Sequence, residues 1–185
     1  MIRLLLCMIA ILLLPATALA QKPNDKRVAA GQLLDSLRQS PSEDASGAIE
    51  ARIRQLWFEQ TTPAVALLLN RGIRDMQAGA HDEAIAVFDD VIVLDPSLAE
   101  AWHQRAVAKF HAGNRTGAIR DIEETLKREP RNFAALRTLG EIAASREDWK
   151  NADAAWLKVL EVSPKTPGGA ERIKDLKRRA LGEET

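Results

Sequence analysis

A spacing of 34 residues recurs along most of this chain. Three prolines, Pro96, Pro130 and Pro164, each end a helix-like segment and lie 34 residues apart. An alanine recurs at the same interval upstream of each proline, at Ala84, Ala118 and Ala152. Because proline inside a helix costs about 3 kcal/mol, these prolines mark the ends of equivalent helices. The chain therefore reads as one structural unit repeated about three times.

Other columns of the repeat also keep their character. A small residue recurs at Gly72, Ala106 and Gly140. A bulkier side chain there would overpack a helix contact and lower the stability by about 1–3 kcal/mol. Large apolar residues recur at Leu68, Trp102 and Leu136, and again at Phe88, Ile122 and Trp156. Apolar residues at helical spacing on both sides of a short turn predict two helices per unit. The predicted helices are 64–77, 81–94, 98–111, 115–128, 132–145 and 149–162.

These columns resemble the tetratricopeptide repeat (TPR). That repeat has a period of 34 residues, and its signature contains a large residue, a small residue, alanine, an aromatic residue and proline. The resemblance covers residues 65–166. A glycine column in the turn, Gly79 and Gly113, is broken by Glu147 in the third unit. The resemblance implies an all-α fold, a right-handed helical solenoid of about three TPR helix pairs with a concave side. The repeats are 65–98, 99–132 and 133–166, within a segment of residues 63–166.

Segments without the repeat columns flank the array. Residues 21–27 are polar and are predicted to be a linker, and residues 28–62 form an N-terminal capping helix pair over the first repeat. The second helix of that pair is predicted to start at Ser40 as N-cap, with Pro41 at its first position and Glu43 completing a capping box. Residues 167–185 form a C-terminal capping helix and tail, since the end of a repeat array needs a half-polar lid.

The first twenty residues have the layout of a cleavable secretory signal. Arg3 precedes an apolar run from Leu4 to Leu14, Pro15 breaks the helix, and Ala18 and Ala20 are the small residues a signal peptidase requires. The run is shorter than the roughly 20 residues that span a bilayer. Cleavage is predicted after Ala20, with no membrane insertion of the mature chain. The alternative is an uncleaved anchor.

Charge and cysteine content narrow the function classes. The chain has 26 basic and 26 acidic residues, and without residues 1–20, whose only charge is Arg3, the formal charge is −1. This balance does not point to nucleic acid or an anionic membrane. The only cysteine, Cys7, lies inside the signal, so the exported domain depends on its hydrophobic core rather than on disulfides. The short signal and the absence of disulfides favour a bacterial periplasm.

The sequence carries no recognisable catalytic motif. It lacks the HExxH, GxSxG and phosphate-loop patterns, and the mature chain has no cysteine nucleophile. His103 and His111 share a predicted helix but lie about 12 Å apart along its axis, too far for one metal. We therefore predict a protein that is not an enzyme, with no catalytic residues, no cofactor and no metal site.

The resemblance to the TPR family also implies where a partner would bind. In that family, positions 2, 5, 9, 12 and 13 of each repeat's first helix usually hold partner peptides. Carried over by column, the predicted partner-binding groove contains Leu69, Ile73, Met76, His103, Val107, Phe110, His111, Arg137 and Glu141. The columns of the family's carboxylate clamp hold other residue types, among them Ala134 and Thr138, so binding of chaperone C-terminal tails is not expected.

These observations predict a non-catalytic protein–protein interaction module of the bacterial periplasm that holds a peptide or helix of an envelope protein in its groove. An alternative is an assembly or maturation factor that transiently holds unfolded clients, and a third is an enzyme of unrecognised type. A further possibility is that a terminal helix of the chain itself covers the groove, because exposed apolar residues there would be costly. The partner itself is not named by the fold.

Overall fold

The protein is a stack of helix pairs, each formed by two helices that follow one another in the chain. A computed structural model describes residues 23–182, and within that range the backbone forms nine α-helices and no β-strand. The helices are α1 (Pro23–Leu37), α2 (Glu43–Phe58), α3 (Pro63–Gln77), α4 (His81–Leu94), α5 (Ala99–His111), α6 (Arg115–Arg128), α7 (Phe133–Ala144), α8 (Trp149–Val162) and α9 (Gly169–Ala180). The predicted export signal lies outside the described residues.

The six repeat helices pair as the 34-residue period predicts. Helices α3 and α4, α5 and α6, and α7 and α8 pack as pairs, and α4 contacts α5 while α6 contacts α7. Each predicted repeat helix agrees with the observed one to within one residue at either end. The all-α solenoid expected from the repeat is therefore confirmed.

Close helix approach explains the column of small residues. A Cβ atom on Gly72 would lie 2.5 Å from Cε1 of Phe88, and one on Gly140 would lie 2.7 Å from Cδ1 of Trp156. The equivalent Ala106 is fully buried. The small residue of one helix thus receives the large residue of its partner, as the repeat pattern indicated.

The turn within each pair uses a left-handed backbone residue. Gly79 has φ of 76° and Gly113 has φ of 83°. Glu147, which interrupts the glycine column, adopts φ of 58°. The third pair therefore keeps the turn geometry although its residue is one that the left-handed region disfavours.

Two sequence predictions at the N-terminal end were wrong. Residues 23–27, assigned to a linker, form the start of α1, whose first helical residue is Pro23; proline suits that position because its missing N–H would have no helical partner there. The N-cap of α2 is Ser42 rather than Ser40: the Ser42 hydroxyl accepts from the Ala45 amide at 3.2 Å. Ser40 is instead buried and donates to the Ser42 carbonyl.

The C-terminal helix covers the last repeat. Helix α9 packs on α8 and buries Leu176, with Ile173 partly buried beside it. Its polar side holds Asp175 among three arginines, Arg172, Arg178 and Arg179. Helix α9 therefore has one apolar and one charged face, as expected for a capping helix.

Candidate functional site

The first helices of the three repeats form one continuous surface. Helix α3 contacts α5, and α5 contacts α7, whereas the second helices α4, α6 and α8 lie behind them. In a solenoid the stacked first helices line the concave side. This concave surface is the candidate site, and we call it the groove.

Helix α2 lies in the groove and contacts the third repeat as well as the first. The Trp57 ring packs 5.1 Å from the Phe133 ring at the start of α7, and the Arg54 guanidinium lies 5.8 Å above the same ring. Helix α2 also packs against α5. Helix α2 also reaches the first repeat, where Phe58 packs against the core cluster that contains Leu69, so the predicted N-terminal cap extends from the first repeat to the third.

A buried carboxylate fixes α2 to the third repeat. Glu50 is 2% exposed; its Oε1 accepts from the hydroxyls of Ser163 at 2.8 Å and Thr166 at 2.7 Å. Its Oε2 accepts from Nη2 of Arg137 at 2.7 Å, and the same nitrogen contacts Thr166. Since a buried charge is costly unless it is paired and hydrogen-bonded, this complete set of donors is what permits Glu50 to be buried.

Further contacts join the N-terminal hairpin α1–α2 to the third repeat and the α8–α9 connection, both in the interior and at the exposed edge. The buried hydroxyls of Ser46 and Ser163 lie 2.8 Å apart. At the exposed edge, Glu43 accepts from the Gly168 amide and Arg131 pairs with Asp35 of α1. Helix α2 thus extends from the α8–α9 connection across α7 toward the first repeat.

The part of the groove that α2 leaves open is a cleft between α2 and α3. Its volume is about 470 Å³. The α2 wall includes Gln55 and Phe58, and the α3 wall includes Ala66, Asn70 and Ile73. Asn70 is exposed, so its carboxamide can donate to and accept from a bound backbone. The cleft therefore combines an apolar floor with polar groups suited to a peptide.

An ion pair lies at the rim of this cleft. Nζ of Lys26 is 2.8 Å from Oε2 of Glu59. The hydrogen bond from Lys26 holds the pKa of Glu59 below its usual value, against a smaller opposing effect of desolvation. The rim therefore carries two charges that neutralise each other.

Four predicted groove residues are fully or partly buried in the cores of the repeats. Leu69 is fully buried in the core of the first repeat, and Ile73 and Met76 are partly buried against the same cluster. Phe110 is partly buried against the cluster that contains Ile142. These side chains contribute to packing as well as to the groove surface.

The remaining predicted residues divide between covered and open positions. His103 is buried and its Nε2 lies 3.2 Å from the Thr138 hydroxyl, while Arg137 is engaged by Glu50. Val107 is half-buried, and His111 and Glu141 are exposed. Helix α2 thus covers the part of the groove nearest Arg137.

The structure brings together two histidines that the sequence did not pair. The rings of His81 and His111 are stacked with centroids 5.4 Å apart, because the end of α5 lies beside the start of α4. Among residues 23–182, no group of three or more His, Cys, Asp or Glu side chains is placed to hold a metal ion. In the same range, no helix has the length and apolarity to cross a bilayer.

Sequence reasoning missed Glu50, Ser163 and Thr166. Glu50 lies three residues before Ile53 and seven before Trp57, so it shares the apolar face of α2. A carboxylate on an apolar face was the available signal. Ser163 and Thr166 gave no such signal, because they lie in the connection after α8.

Comparison with known proteins supports the TPR family. A tetratricopeptide repeat family model matches residues 103–170. A TPR repeat-containing protein of Rhizobium etli is 27% identical over 154 residues, which are 83% of this chain and 76% of that protein. The match therefore extends beyond the residues of the family model.

Solved structures share the fold. The first TPR domain of Spaghetti (RPAP3), bound to the HSP90 peptide SRMEEVD, has a TM-score of 0.59 at 20% identity, covering 64% of this chain and 93% of that one. The Yersinia enterocolitica type III secretion chaperone SycD, in complex with a peptide of the translocator YopD, has a TM-score of 0.59 at 16% identity, covering 67% and 98%. At these identities the likeness concerns the fold.

Proposed function

We propose that this protein is a non-catalytic interaction module that holds a peptide or helix of an envelope protein in its groove, in the bacterial periplasm. The observation that carries the proposal is that the groove already accommodates an amphipathic helix, α2. The peptide complexes of similarly folded proteins support the same use of the surface. The groove supports the protein-binding role, and residues 1–20 support the envelope location.

The cleft between α2 and α3 is the surface on which to test binding. Ala66 and Asn70 line it, and neither belongs to a core cluster, unlike Phe110. We expect Ala66→Glu with Asn70→Glu to abolish crosslinking of the partner in cell envelopes, because two carboxylates would face an apolar floor. Crosslinked species are to be identified by mass spectrometry.

A matched control lies on the opposite side of α3. Ala64 and Arg71 are both exposed, and helical geometry places them on the side away from Ala66 and Asn70. Ala64→Glu with Arg71→Glu should leave capture unchanged. Equal capture by both double variants would contradict a role for this groove, provided that circular dichroism shows equal helicity.

The location has its own test. Because Ala18 and Ala20 provide the small residues required for cleavage, we expect the mature protein to begin at Gln21. Intact mass and N-terminal sequencing of the periplasmic fraction measure this. A protein that retains Met1 in the membrane fraction would indicate an anchor instead.

A second candidate function is transient holding of unfolded client proteins. The similarity to the SycD chaperone fold favours it. The two functions differ in selectivity: a client-holding factor should crosslink to many envelope proteins with weak affinity, whereas a dedicated module should crosslink to one.

A further inference from the structure

We propose that the surface of the third repeat beneath α2 is a binding site for an amphipathic partner helix that carries a carboxylate, and that this helix enters by displacing α2. The inference rests on the proposed function, whose groove it specifies further. Helix α2 then occupies the site that the partner helix would bind. The contacts of α2 therefore indicate which side chains the partner helix must carry.

The partner pattern follows from the three side chains through which α2 is held. Glu50, Ile53 and Trp57 have the spacing i, i+3 and i+7, which places them on one face of a helix. Ile53 is fully buried and Trp57 is 3% exposed. A partner helix should therefore carry an acidic residue, an aliphatic residue one turn later and an aromatic residue one further turn along.

The charge requirement comes from the solenoid side. The hydroxyls of Ser163 and Thr166 and the Arg137 guanidinium all donate to the same carboxylate. A cation and two hydroxyls that converge on one point favour an anion there. Without a carboxylate the partly buried Arg137 would have no paired charge, so a helix lacking an acid at this position should bind poorly.

Helix α2 satisfies this surface incompletely. Nε of Arg137 is buried and has no hydrogen-bond acceptor among residues 23–182. A buried donor left without an acceptor is unfavourable. A partner helix that supplies an acceptor to this nitrogen would bind the surface better than α2 does.

The apolar part of the interface must be replaced by the partner, because Leu34 and Leu37 of α1 and Leu56 of α2 are buried in one cluster with Phe133 of the third repeat. The outer Arg131–Asp35 ion pair is exposed, and exposed ion pairs contribute little. Helix α1 packs on α2, so the two can move as one hairpin. Residues 59–62, between α2 and α3, are the connection about which it would move.

A reversible disulfide tests the displacement directly. A Cβ atom on Gly47 of α2 would lie 3.2 Å from Cγ of Pro167, so Gly47→Cys with Pro167→Cys should close a bond between α2 and the connection that follows the third repeat when oxidised. Cys7→Ser in the same chain leaves only these two thiols. The probe is a fluorescent synthetic peptide of residues 43–58, and its binding to the full chain is measured by anisotropy.

We expect the reduced chain to bind the peptide and the oxidised chain to bind it at least about tenfold more weakly, with reduction restoring binding. Binding by the reduced chain should be weak, because its own α2 competes at an effective concentration of about 1 mM. Equal affinity of the oxidised and reduced chains would overturn the proposal.

A second variant examines the carboxylate without a disulfide. Glu50→Ala in the chain weakens the internal helix and should tighten binding of the unaltered peptide by about tenfold, while a peptide with Glu50→Ala should lose that gain. Arg52→Ala, an exposed residue on the same helix, should change neither value. Absence of peptide binding to both the reduced and the Glu50→Ala chains would also contradict the proposal.

Capture of the natural partner separates this inference from the proposed function. If the chain captures a partner equally well with the disulfide closed and open, the groove binds partners beside α2, and displacement is wrong while the interaction module stands. If it captures none in either state, the proposed function itself fails. Capture that requires the open disulfide supports both.

Discussion

At the scale of single residues, the fold depends on side chains that are small where two helices meet. Gly72 and Gly140 receive the rings of Phe88 and Trp156, and Ala118 is fully buried at its own helix contact. Each position leaves no room for added volume. The repeat columns are therefore steric requirements of the stack.

The alanine column gives a stability prediction. Ala118→Leu should lower the free energy of unfolding by about 1–3 kcal/mol through overpacking, whereas Ala112→Leu should change it little because Ala112 is exposed at the end of α5. Urea denaturation of both variants measures the difference. Equal midpoints would contradict the repeat register.

The turn of the third repeat gives a prediction of increased stability. Glu147 holds φ of 58°, a region that costs a residue with a Cβ about 1–2 kcal/mol. Glu147→Gly should therefore raise the free energy of unfolding by about 1 kcal/mol. The matched change Gly113→Glu, at the equivalent turn, should lower it. A neutral or destabilising Glu147→Gly would mean that the Glu147 side chain has a stabilising contact.

At the scale of helices, the position of the N-terminal hairpin, formed by α1 and α2, could not be predicted from the sequence. The helix pairs of the repeat were predictable because proline, alanine and apolar spacing are local signals. The position of α2 in the groove was not, because it depends on Glu50 meeting residues more than a hundred positions away. The family columns placed Arg137 in the groove, but only the structure shows that the chain supplies its carboxylate.

The Lys26–Glu59 pair joins the start of α1 to the end of α2. Since the folded-state pKa of Glu59 lies below its usual value, the pair adds stability above the usual pKa and loses it as pH falls through the folded-state value. Lys26→Met should raise the Glu59 pKa, because the hydrogen bond with Lys26 is the largest cause of the shift. Carboxyl-carbon NMR titration measures it, and an unchanged pKa would contradict the assigned cause.

At the scale of the whole molecule, α2 connects regions that a repeat array normally keeps independent. Stacked repeats contact only their neighbours, but Glu50 and Ser163 are 113 residues apart in sequence. The N-terminal hairpin therefore makes the stability of the third repeat depend on the N-terminus of the chain.

Removal of the buried carboxylate should consequently affect the whole domain. Glu50→Ala leaves Arg137 without its charge partner, so we expect a loss of about 3 kcal/mol in the free energy of unfolding. Arg52→Ala, at an exposed position on the opposite face of α2, should lose less than about 0.5 kcal/mol. Thermal and urea unfolding followed by circular dichroism provide the values, and similar losses for both variants would show that the Glu50 contacts add no stability.

The distance in sequence between α2 and its binding surface also determines the order of events on the ribosome. Translation at about 5–20 residues per second separates the emergence of Glu50 from that of Ser163, 113 residues later, by roughly 6–23 s. During that interval a nascent chain displays Ile53 and Trp57 before the surface that will bury them has been synthesised. A protein that binds the chain during that interval therefore meets an uncovered amphipathic helix.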